Sequence, residues 1–206
     1  MMAPPPAAFD GFLAFGDESG SDRLLDPDTY ILAAAIIDPE HVDDVRGMAR
    51  GLKLPGARKA HWRDDSDKQH DAVIAMISQM PIEGVIVVRQ GSSDEAPERR
   101  RRKCMEPFLT NVEEYGCNRL MLESRGPADD KRDRNLLDAM RAKHQSGGLR
   151  LDHRRGPEEP LLWIPDALCG ALTSSRIGEG RWLETLEERI RVIGQDVCAG
   201  ERDSGV

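Results

Sequence analysis

Apolar residues along this chain follow two rhythms. Short runs have the length and β-branched content of strands: FLAFG at 12–16, YILAAAII at 30–37, GVIVVR at 84–89, RLMLE at 119–123 and a weaker stretch at 149–153. Between them, apolar positions recur every three or four residues. Val42, Val45, Ala49 and Leu52 form one such stripe, Val73, Ile74, Ile77 and Met80 a second, and Cys104, Phe108, Leu109 and Val112 a third. Helices are therefore expected after Asp38-Pro39, after Ser66 with Gln69 as a capping box, and over 97–115, 129–144 and 164–177. Gly116 ends the long third one in the usual way. A last helix is expected over 180–193, where Leu183, Leu186, Ile190 and Ile193 keep heptad-like spacing, either as a core helix or as a homodimer contact. The turn-forming segment SGSDRLLDPD makes the first two strands a hairpin. The resulting order, ββ-αα-β-α-β-α-β-α-α, predicts an α/β fold with a mixed sheet of about five strands flanked by helices.

Composition narrows the function. With 206 residues, one domain over 11–195 is expected, between a Pro-rich disordered start at 1–10 and a flexible tail at 196–206. The net charge of -8 argues against whole-surface nucleic-acid binding but leaves room for a local basic groove. Cys104, Cys117, Cys169 and Cys198 make no CxxC pair, which fits a reducing cytoplasm better than a disulfide framework. The start has no basic, apolar signal pattern, and no stretch approaches a membrane span. Arg far outnumbers Lys, in keeping with a GC-rich bacterial genome. Gly-rich phosphate loops are absent, so ATPase and GTPase readings have no support.

The candidate chemistry is acidic. Asp17 and Glu18 end the first strand and run into a Ser-Gly turn. Charge at the tip of a core strand is costly unless a partner or a metal compensates it. Glu123 ends the fourth strand, and Asp166 sits in the first turn of a late helix, in PDALCGAL. Acids at strand ends and a helix start can converge at one sheet edge and hold Mg²⁺ or Mn²⁺. Plainer readings stand beside this one. Asp166 complements a helix dipole, and Glu123 suits a solvated strand end. Strand alternation sends Asp17 and Glu18 to opposite faces, which makes Asp17 the metal ligand and leaves Glu18 to assist if the strand bends. Small residues at 167–171 would let the helix approach the first strand, as ordinary helix–sheet packing also would. His61, Arg63 and Arg125 are candidates for contacting a substrate, although no His pair has HxH or HExxH spacing. The basic run at 98–103 splays around its helix, so it reads as a solvated helix start more readily than as one phosphate-binding groove.

The stretch at 15–20, with its FGDESG sequence, resembles the (Y/F)-x-DESG opening of the bacterial family called domain of unknown function 3800. The similarity covers most of 12–177, with the opening motif its specific part, and includes the acid at Glu123 and the late Asp166. The run-up to Asp166 departs from the family's Leu-Gln-x-Ala, and Lys59-Ala60-His61 lacks the acid of the family's Glu-x-His element. The resemblance implies a ribonuclease H-like fold and a metal-dependent nuclease. Asp17, Glu18, Glu123 and Asp166 would be catalytic, with Asp17, Glu123 and Asp166 holding two metals that act on RNA or DNA. The alternative is a catalytically inactive ribonuclease H-like binding module within a larger complex. Converging carboxylates favour the first reading, and a salt-bridged or splayed set favours the second.

Overall fold

The computed structural model describes residues 11–196; the expected disordered start and the tail from 197 onward lie outside the described residues. Six strands form one sheet: β1 (Phe12–Ser19), β2 (Thr29–Ile37), β3 (Glu83–Gln90), β4 (Cys117–Glu123), β5 (Arg150–Arg154) and β6 (Ile190–Asp196). Their order is β5-β4-β1-β2-β3-β6. The β1–β2 and β2–β3 pairs are antiparallel, whereas β1–β4, β4–β5 and β3–β6 are parallel. The helices are α1 (Val42–Ala49), α2 (Asp67–Ile77), α3 (Pro97–Glu114), α4 (Pro127–Ala142), α5 (Trp163–Arg176) and the single turn α6 (Arg181–Glu184).

The strands alternate cleanly between two cores. Phe15, Ala33, Ile86 and Ile190 face one core, with α1, α2, α5 and α6 packed over them. Ala14, Leu32, Val85 and Leu122 face the other, under α3 and α4. β2 is central and buried on both sides, which is why it reads as an unbroken apolar run. Two expected caps form: the Asp38 side chain accepts from Glu40 N at 3.0 Å, and Ser66 Oγ accepts from Gln69 N at 3.4 Å.

The helix expected over 180–193 is not there. Only 181–184 coil into α6; Leu186 still turns into the core, and Ile190 begins β6 beside β3. Pairing between Gly84 and Ile190 decides this, because a Cβ on Gly84 would stand 2.3 Å from Ile190 Cδ1. With no helix there, the proposed dimer seam falls away too. Cys104, Cys117 and Cys169 are buried free thiols, and Cys198 lies outside the described residues. Among the described residues no helix is long and apolar enough to cross a membrane.

Candidate metal centre and active site

Register brings two of the acids together. β1 and β4 are parallel neighbours with Gly16 opposite Leu122, so the next residues along are Asp17 and Glu123. Asp17 follows Leu13 and Phe15 onto the α5 face, and Glu123 follows Met121 onto the same face. The helix α5 supplies the third acid. Cys169 Sγ donates to the Asp17 carbonyl oxygen at 3.7 Å, and Asp166 stands one turn earlier on that helix. The three carboxylates feel one another's charge. Burial, then the charges of Asp166 and Glu123, hold the Asp17 carboxyl well above the usual aspartate range. The same burial and the charges of Asp17 and Asp166 push the Cys169 thiol upward, so it is an inert packing group.

A loop strap closes over the trio. Lys59 Nζ donates to both oxygens of Glu123, at 2.7 and 3.0 Å. Burial alone would lower this ammonium's pKa. The hydrogen bond and charge of Glu123, with the charges of Asp166 and Asp17, outweigh that and hold it above its ordinary value. His61 Nδ1 lies 3.3 Å from Asp166 Oδ1, and the Trp62 amide donates to Asp166 Oδ2 at 2.8 Å. Packing fixes the strap. The Trp62 ring stacks on His70 with centroids 3.8 Å apart and planes 7° apart, and Trp182 meets its edge at 5.2 Å. His70 Nε2 donates to the Trp62 carbonyl at 2.9 Å. Gly170 lies under the indole, where a Cβ would come within 2.1 Å of Trp62 Cγ. Beside the trio opens a cavity of about 370 Å³, lined by Ser19, Asp22, His61, Arg63, Asp166 and Thr173 among others.

Glu18 and Arg125 are placed elsewhere. Glu18 projects to the α3 face, where Arg101 Nε donates to it at 2.8 Å and Arg125 Nε stands 3.1 Å away. Arg101 also grips Asp133 through two hydrogen bonds, of 2.5 and 3.0 Å, and His153 Nε2 donates to the same carboxylate at 3.0 Å. The structure thus brings Asp17, Glu123, Asp166, His61 and Arg63 to one region; Glu18 reaches the wall of the same cavity, but its carboxylate is taken up by Arg101 and Arg125 on the α3 side. A larger cavity, about 560 Å³, lies on that far side between α3 and α4. Its charged lining residues are engaged in ion pairs, and it contains none of the trio.

Lys59 is the site residue that sequence reasoning missed. It lies in an aperiodic polar loop, 64 residues from Glu123, at the position where the resemblance expects the acid of a Glu-x-His element.

Solved structures resemble this fold. A structure of the PCNA–RNase HII complex from Archaeoglobus fulgidus matches with a TM-score of 0.53 at 13% identity, covering 86% of this chain and 77% of that chain. The ribonuclease H2 of Pyrococcus horikoshii matches with a TM-score of 0.50 at 11% identity, covering 86% and 76%. The fold is ribonuclease H-like. No family model matches the chain, and no curated protein does. The resemblance to the domain of unknown function 3800 family therefore rests on its motifs.

The trio suits a hard divalent cation. Its donors are all carboxylate oxygens, the ligand type that Mg²⁺ and Mn²⁺ prefer. Fully ionised, three carboxylates against one ammonium would leave two negative charges uncompensated; burial and that repulsion together raise Asp17. Among the described residues, the ligand atoms of Asp38, Glu40 and His41 are the set that lies within 4.8 Å of one another. The trio is more open than that, with the Lys59 ammonium against its Glu123 member. The Asp38 group lies at the surface, where Asp38 is engaged in capping.

Proposed function

We propose that this ribonuclease H-like chain is a metal-dependent nuclease that hydrolyses phosphodiester bonds in RNA or DNA, with Asp17, Glu123 and Asp166 as the metal-holding carboxylates. The observation that carries the reading is the placing of these three acids at one sheet end, where burial first and then the charges of Asp166 and Glu123 hold the Asp17 carboxyl above its ordinary range. The solved structures with this fold are named as ribonucleases, which supports the substrate class. A bound Mg²⁺ or Mn²⁺ supplies the positive charge and Lewis acidity that activate water and stabilise a leaving oxygen. The chain's own residues do the rest. The strap holds Asp166 through the Trp62 amide and His61, while His61 and Arg63 line the cavity where a phosphate backbone would lie. Glu18 and Arg125 support the strand end from behind. The DESG motif places the chain with the domain of unknown function 3800 family in this reading, and its free buried thiols suit a reducing cytoplasm.

One observation favours a second reading. Glu123 is ion-paired to Lys59, as expected of a non-catalytic binding module. The two readings part on metal. Single-stranded RNA, RNA–DNA hybrid and DNA are incubated with Mn²⁺, beside melting curves with and without the ion. The nuclease reading expects cleavage of at least one substrate and metal-linked stabilisation. Neither effect in the wild-type chain would leave the binding module.

A further inference from the structure

The expectation of two metals meets a difficulty of charge. Lys59 Nζ sits on both Glu123 oxygens, with its side chain only 24% exposed, and its charge is felt by Asp17 and Asp166 as well. The backbone that carries the ammonium is held in place. The strap is pinned three residues later by the Trp62 stack and by two contacts to Asp166 itself. Fully ionised, the three carboxylates and the Lys59 ammonium together carry two negative charges. One divalent ion cancels them, whereas two would leave an equal excess of positive charge in a partly buried site, a costly outcome.

We propose that the site takes a single divalent ion and that Lys59 supplies the second cationic position, beside Glu123. The inference rests on the nuclease reading and makes Lys59 part of its machinery. A lysine ammonium is a compact point charge, suited to an anionic oxygen but unable to act as a Lewis acid. One ion then serves the Asp17 and Asp166 side, and the ammonium offers fixed positive charge to the phosphate on the Glu123 side.

The test counts ions. Mn²⁺ is titrated into the full chain by calorimetry, with free Mn²⁺ followed by electron paramagnetic resonance. Lys59→Gln, Lys59→Arg and Asp17→Asn are run in parallel. The wild type should bind one Mn²⁺, and Asp17→Asn should lose it, which separates the trio from the surface Asp38 group. Removing the competing charge in Lys59→Gln should tighten the first ion by about tenfold or more and admit a second. Lys59→Arg keeps the charge and should keep the count at one; this variant carries the test if Lys59→Gln fails to fold. Two ions in the wild type or in Lys59→Arg would overturn the inference while leaving the nuclease reading intact. Unchanged stoichiometry and affinity in Lys59→Gln would do the same. Absence of Mn²⁺ binding in the wild type would overturn both.

Discussion

Asp17 shows how a functional carboxylate carries a cost in the folded state. Its carboxyl is raised by burial first, then by Asp166 and Glu123. A raised folded pKa means that the native state holds its proton more tightly than the unfolded chain does. Stability therefore falls as pH rises from about pH 4, the ordinary aspartate range, through the folded value, and the full cost persists above it. The substitution Asp17→Asn removes that ionisation with little change of shape. Its melting temperature without metal should equal or exceed the wild-type value at pH 7, and the difference should vanish toward pH 4. With metal the order reverses. At a metal concentration 100-fold above Kd, wild-type protein gains about 2.7 kcal/mol, roughly 5–11 °C for a chain of this size, and Asp17→Asn gains little. Melting curves across pH, with and without Mn²⁺, check both halves. A lower metal-free melting temperature for the variant at pH 7 would contradict the repulsion argument.

At the scale of elements, the decisive packing is between α5 and the loop strap. Gly170 leaves the space into which the Trp62 indole fits, and the indole is held on its other sides by His70 and Trp182. The ring cannot retreat as a flexible side-chain end could. Gly170→Ala should therefore overpack the contact and cost ~1–3 kcal/mol, readable as a lower midpoint in urea. Because the Trp62 amide holds Asp166, the same change should also weaken Mn²⁺ binding. Thr173→Ala, one turn later on α5 and also at the cavity wall, leaves that contact alone and should keep Mn²⁺ affinity near wild type. Full metal affinity in Gly170→Ala would show that the strap does not position Asp166.

Across the whole molecule, the far face of the sheet is tied by a second charged network. Arg101 links Glu18 of β1 to Asp133 of α4, and His153 of β5 joins them. Burial would raise Asp133, but hydrogen bonds from His153 and Arg101 outweigh it and hold the carboxyl below its ordinary value. That sign is opposite to Asp17: the stabilisation is fully present above about pH 4 and is lost as pH falls through the lower folded value. Asp133→Asn leaves the buried Arg101 without its bidentate partner and should cost ~3–5 kcal/mol at neutral pH, measured by denaturant unfolding. The network also sorts the basic run at 98–103. Arg101 is structural, and Arg100 is spent on Asp28 and the carbonyls of Ser92 and Glu95. Arg99 and Arg102 reach solvent, at 71% and 66% side-chain exposure. Replacing both with Gln should leave stability near wild type and lower the salt dependence of oligonucleotide binding by no more than about two phosphate contacts. Complete loss of binding would place the groove on this helix instead of at the carboxylates.

What the sequence determined by itself was local. Short apolar runs rich in β-branched residues placed five strands, three- and four-residue spacing placed the helices through α5, and the acids at the ends of β1 and β4 and the start of α5 were visible as candidates. These features depend on a residue's own position in its element, which periodicity reports. Tertiary structure decided the rest. The segment 190–196 becomes a strand because β3 offers an edge and Gly84 leaves room, a contact between residues about a hundred positions apart. Glu18 faces Arg101 instead of the trio because the strand stays straight through Ser19. Lys59 enters the site because aromatic stacking at Trp62 pins an aperiodic loop across Glu123. No local pattern encodes such contacts, since their free energy comes from partners distant in the chain.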